Sequence, residues 1–164
     1  MRACAGVVRV PPVTWKLSGR LSARPEAVFA WMTDFREDDH NSEAYHRGAK
    51  TPEKERARAA RRVIDVEGAT LKIHDEWGTS RFDARVTVDG DAREVRIEGE
   101  FGYSSLWRAV EDGSGTRVET EGRVAPKGPG KLFLPFIGKG LMAGIERDFN
   151  GHMEEMRVDL EGAK

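Results

Sequence analysis

The sequence predicts an α+β fold: a curved antiparallel sheet of seven strands wrapped round one long C-terminal helix, with two short helices after the first strand. Three observations predict it. From about residue 57 to 125 the chain alternates apolar and polar with period 2 in six successive stretches. Their connections are too short for a parallel crossover, which needs roughly a dozen residues, so neighbours run antiparallel. Finally, Ile137, Leu141, Ile145, Phe149, Met153, Met156 and Leu160 recur every three or four residues. That is one apolar stripe, and it needs a dry surface to lie on.

The elements follow in order. Residues 13–21 alternate as a half-buried strand. Pro25-Glu26 then opens a helix, with proline in the first turn where its missing N–H costs nothing. Val28, Trp31, Met32 and Phe35 make its apolar face. Residues 34–54 are polar and irregular and are read as a second short helix and a loop. Strands are expected near 57–67, 69–77, 80–88, 92–101, 103–111 and 116–125. Glu67-Gly68, Gly78, Asp89-Gly90-Asp91, Gly102 and Asp112-Gly113-Ser114-Gly115 supply the turns. Leu71, Ile73 and Trp77 share one side of their strand, as do Phe82, Ala84, Val86 and Val88 of the next. Val95 with Ile97, and Val118 with Val124, continue that side. Lys72, His74, Glu76, Arg81, Asp83 and Arg85 fall opposite. One dry face and one wet face follow. The first of the six strands fits least well, because Arg58, Arg61 and Arg62 interrupt it. Gly128-Pro129-Gly130 breaks the chain before the last helix.

Composition narrows the function. The chain has 164 residues, 38% of them hydrophobic and 34% charged, and a net charge of −1. One domain over residues 1–164 is expected, with 1–12 a loose segment. The balanced charge provides no field for nucleic acid. Arg47–Arg62 holds seven basic residues against two acidic, but no aromatic for base stacking. The acidic segment Glu26–Glu43 offsets it. A single cysteine, Cys4, excludes a disulfide framework and a multi-cysteine zinc site. Asp38-Asp39-His40 has metal-ligand composition, yet it lacks helical ligand spacing and reads as an exposed loop, so no metal and no cofactor is expected. Met1–Val13 is too short and broken for a secretion signal. Leu132–Ile145 is the longest apolar run, well short of the ~17–25 residues of a membrane span. A soluble, cytoplasmic protein is the expectation.

Beyond class, the order of elements carries a resemblance. Ser22-Ala23-Arg24-Pro25-Glu26-Ala27-Val28-Phe29-Ala30-Trp31-Met32-Thr33-Asp34-Phe35 follows a first strand. Gly115-Thr116-Arg117-Val118 opens the last strand, and a long helix closes the chain. With these pieces the sequence resembles the START-like superfamily, also called SRPBCC, of polyketide cyclase/dehydrase and lipid-transport proteins. The resemblance implies a helix-grip fold over about residues 13–161. It also implies an apolar small molecule, such as a lipid, isoprenoid or polyketide, held between sheet and helix. That superfamily includes carriers, cyclases, hydrolases and oxygenase subunits, so it fixes no reaction.

Candidate residues follow from parity. Lining is expected from Trp31 of the first helix, from Leu71, Ile73 and Trp77, and from Phe82, Ala84 and Val86. Ile97, Tyr103 and Trp107 continue it on the next strands. The last helix contributes Phe136, Ile137, Leu141, Ile145, Phe149 and His152. Three positions bear on catalysis. Asp75 shares the parity of Ile73, and a carboxylate held there would be pushed toward its protonated form. His152 lies close to the helical stripe, four residues after Asp148. Tyr103 offers a phenol. Asp75 and His152 have plainer readings, as a rim carboxylate and half of a solvated helix pair, and for Trp107, which shares the parity of Tyr103, the plainer reading is core packing.

Gly138, Gly140, Gly144 and Gly151 leave ligand room or let the helix start bend, or else allow close packing against the sheet. Leu132–Ile137, flanked by Lys127, Lys131 and Lys139, covers a pocket mouth, touches a membrane transiently, or plugs the barrel end. Three functions therefore stand: a binder of a hydrophobic small molecule, a cyclase/dehydratase-type enzyme using acid–base residues in the same cavity, and an interaction protein with a filled interior.

Overall fold

The computed structural model describes residues 10–35, 61–67, 70–77, 80–126 and 134–162. Strand β1 spans Val13–Leu21 and helix α1 spans Pro25–Met32. Six strands follow: β2 Arg61–Glu67, β3 Thr70–Trp77, β4 Ser80–Asp89, β5 Glu94–Gly99, β6 Tyr103–Asp112 and β7 Gly115–Val124. Helix α2, Leu134–Glu161, closes the chain. All strands join one antiparallel sheet in the order β1-β7-β6-β5-β4-β3-β2. The expected α+β architecture is present, with its seven strands and its C-terminal helix. The second short helix, the Asp38-Asp39-His40 cluster and Gly128-Pro129-Gly130 lie outside the described residues, as does most of the basic segment.

One expected strand is shorter than its alternation suggests. The stretch 92–101 ends as β5 at Gly99, and Glu100–Gly102 form a 3-10 turn. Gly102 sits in the left-handed region with φ 71°, and a Cβ there would lie 2.2 Å from the Ala125 carbonyl oxygen. The Ala125 N–H donates to the Gly102 carbonyl at 3.1 Å. The chain can pass so close to residue 125 only without a side chain.

The register gives the sheet two chemically distinct faces. Leu17, Thr120, Trp107 and Val95 line up across β1, β7, β6 and β5. Trp15, Gly122, Ser105, Ile97, Val86 and Leu71 form a parallel row. On the opposite face Arg108 reaches Glu94 at 2.7 Å and Glu121 at 3.1 Å, a cross-strand ion cluster in the wet layer.

Helix α2 lies along β1. A Cβ on Gly19 would come within 2.7 Å of Met153, so the bare glycine lets the helix settle onto the strand. Further on, the Glu161 carboxylate accepts from the main-chain N–H groups of Ser22 and Ala23. The buried cluster joins Leu21, Val28, Met32, Val86 and Val118 to Phe149, Met153 and Met156. Each such side chain contributes roughly 1.5–3 kcal/mol by leaving water. Among the described residues, no helix is long and apolar enough to cross a membrane.

Candidate functional site

Burial varies along the apolar side of α2, where Leu134 is buried and Leu160 half-buried. Phe149, Met153 and Met156 are buried, whereas Leu141, Met142 and Ile145, one to two turns earlier, are half-buried. The closest neighbours of α2 are β1 and α1. Across the sheet from β1, Leu71, Val88, Ile97 and Trp107 keep partial exposure although they are on the inner face. Ile73, Ala84 and Val86 between them are buried. Residues 141–145 of the helix and the inner face of β3–β6 thus present incompletely covered apolar surface.

At the inner end of this region sits His152. Its ring lies 5.7 Å from that of Trp107 and 6.3 Å from that of Trp31. Trp107 also packs on Phe149 at 5.7 Å. His152 Nδ1 is 2.7 Å from the main-chain carbonyl of Asp148. In the neutral ring that geometry assigns the proton to Nδ1, so Nε2 carries the lone pair. The Asp148 carboxyl, on the same flank of the helix, is pushed up to about 6 by burial, with Arg147 pulling against the shift. A group in that range exchanges protons near neutral pH.

Tyr103 stands apart. Its ring meets Trp15 at 5.6 Å. Four residues of extended chain carry β6 from Tyr103 to Trp107, about 13 Å. Asp75 pairs in register with Arg62 and Phe82. The side chains of Asp75, Trp77, Phe82 and Ile137 lie outside the described residues.

Phe136 requires a correction. It is 85% exposed on the first turn of α2, while Leu134 is 3% exposed and packs inward. Two residues turn a helix by about 200°, so these two cannot face the same way. The inward stripe therefore begins at Leu134, and Phe136 does not line the interior. Glycines along the helix divide likewise. A Cβ on Gly138 would meet Val13 at 3.4 Å, but one on Gly140, Gly144 or Gly151 would meet nothing within 4 Å. Close packing accounts for none of the latter three.

Sequence reasoning missed Asp148, Ser105 and Thr120 as members of the interior. Strand parity is the signal for the last two. Residue 105 lies between 103 and 107 on β6, and residue 120 falls two after Val118 on β7.

No protein-family model matches the chain, and no curated protein does. Solved structures do match. TTHA0849 from Thermus thermophilus superposes with a TM-score of 0.57 at 20% identity, covering 86% of this chain and 93% of that one. A START superfamily protein from Mycobacterium smegmatis gives 0.51 at 15% identity, covering 87% and 98%. The chain has the START-like, helix-grip fold. The di-domain ARO/CYC protein StfQ from the steffimycin biosynthetic pathway shares this fold with a TM-score of 0.59 at 10% identity. Some 85% of this chain is covered there, and the match spans about half (49%) of StfQ.

Proposed function

We propose that the chain binds or carries a hydrophobic small molecule, of lipid, isoprenoid or polyketide type, between the inner sheet face and α2. One observation carries this reading. Leu71, Ile97 and Trp107 on the sheet, and Leu141 and Ile145 on the helix, are apolar and inward by register or stripe, yet only half-buried. Residues so placed gain from a guest that completes their burial, at about 25 cal/mol per Å². The fold shared with StfQ supports the same reading. The chain's single cysteine fits work in the cytoplasm, where disulfides are rare. Native mass spectrometry of the protein purified from its own host tests the proposal. A bound small molecule, extracted and apolar, is expected; a mass equal to the bare chain from several growth conditions would count against it.

A second reading is favoured by the His152 region. A histidine of fixed tautomer beside two indoles, with a desolvated Asp148 one turn away, suits acid–base chemistry of cyclase or dehydratase type. Here His152 is the base or acid that touches the guest, and Asp148 positions it. Replacement of His152 by Ala leaves guest binding largely intact and abolishes turnover in this reading.

A further inference from the structure

Three hydroxyls are buried on the inner face of β6 and β7: Ser105, Thr116 and Thr120. Thr116 is satisfied, its Oγ1 donating to the Ala23 carbonyl at 2.7 Å. Ser105 and Thr120 are not. They are 1% and 2% exposed, and neither Ser105 Oγ nor Thr120 Oγ1 has a hydrogen-bond partner among the described residues. Leaving a hydroxyl dry and unpaired is costly, so buried polar atoms are nearly always bonded. Two such atoms on one patch of the inner face need a partner.

The register sets them side by side. Ser105 lies between Ile97 and Gly122, and Thr120 between Trp107 and Leu17. Thr120 is two residues from Gly122 on the same face, so the two side chains are diagonal neighbours, with Cβ atoms some ~7 Å apart at most. An oxygen placed between them is within reach of both hydroxyls. Their flanking residues Ile97 and Trp107 are the half-buried ones that the proposed guest would cover.

We infer that Ser105 and Thr120 form a polar subsite on the floor of the interior, which receives a carbonyl or hydroxyl oxygen of an otherwise apolar ligand. This rests on the binding reading above and deepens it. A bare hydrocarbon is the wrong guest, and an oxygenated ring or chain is the right one. Specificity follows from the penalty: a ligand that fills the space but brings no oxygen leaves both hydroxyls unpaired.

Paired probes test it. The affinities of 1-naphthol and 1-methylnaphthalene are measured for the wild-type chain, Ser105→Ala and Thr120→Val by competition with a fluorescent naphthalene sulfonate dye, alongside thermal melts. Each variant is expected to lose about five- to tenfold in naphthol affinity, the worth of one hydrogen bond. Methylnaphthalene affinity stays unchanged, and Tm stays level or rises because an unsatisfied atom has been removed. Unchanged naphthol binding in both variants overturns the subsite while leaving the binding reading in place. A lowered Tm in both also overturns it, because the hydroxyls would then be bonded within the fold. If neither probe binds the wild-type chain, the enclosed site itself fails, and the subsite with it.

Discussion

Trp31 donates its indole N–H to the Asp159 carboxylate at 2.8 Å, tying the short helix to the last turns of the long one. Together with the grip of Glu161 on Ser22 and Ala23, it fixes the C-terminal end of α2. At the other end of the helix the approach to the sheet is apolar, with Gly138 set against Val13. Trp31→Phe keeps an aromatic ring and removes the donor. It is expected to destabilise the fold by about 0.5–1.5 kcal/mol in urea titrations. Amide exchange should speed up over residues 156–161 more than over β6 or β7. An unchanged midpoint would mean that the bond does not hold the helices together.

Asp148 makes stability fall as pH rises. Its folded-state pKa is raised from 3.8 to about 6 by burial. The folded chain therefore binds the proton more tightly than the unfolded one. The stabilisation is fully present below about pH 3.8 and is lost as pH climbs through about 6. Discounted for partial exposure, this is worth about 1 kcal/mol. Asp148→Asn is expected to be more stable than the wild type at pH 7.5 by that amount, with the gap closing by pH 4. Chemical denaturation at both pH values checks it, and a gap of the same size at both would show that the substitution acts through packing.

Gly140 and Gly144 sit in the helix with open space where a Cβ would be. Alanine at either position should raise stability by about 0.5–1 kcal/mol through helix propensity alone. If these glycines serve to let the helix start flex, the double alanine variant should also release a bound guest more slowly. Thermal melts and stopped-flow dye release measure the two effects separately, and an unaltered release rate would remove the hinge role.

Phe136 is the large apolar side chain left outside at the start of α2, with the exposed Lys139 three residues on. A transient membrane contact through this turn predicts that the chain co-sediments with anionic vesicles and that Phe136→Asp abolishes this without lowering Tm. Equal recovery of both proteins in the pellet removes Phe136 from any such contact.

Alternation is the part of the fold most legible in the sequence. Period 2 places Val86, Val95, Ile97 and Val118 on the inner face, and the stripe places Phe149, Met153 and Met156 inside, because each pattern reports a face directly. Periodicity does not report where a stripe starts. Leu134 and Phe136 are both apolar at the helix entry, and only packing shows which one turns inward. Asp148 is legible as a neighbour of His152 but not as a desolvated acid, since desolvation depends on what the rest of the fold places around it. Ser105 and Thr120 have inner-face parity, yet parity does not report whether an inward hydroxyl finds a partner.

The binding reading requires an interior that is incompletely filled between β3–β6 and residues 141–145 of α2. Methyl–methyl nuclear Overhauser effects test it most directly, comparing the protein as isolated with the same protein after delipidation. The prediction is that Ile97 and Ile145 show no mutual cross-peak in the stripped protein and that both show cross-peaks to the bound molecule beforehand. A strong Ile97–Ile145 cross-peak in both samples, with no foreign resonance touching either, would mean a solid core and would contradict the account.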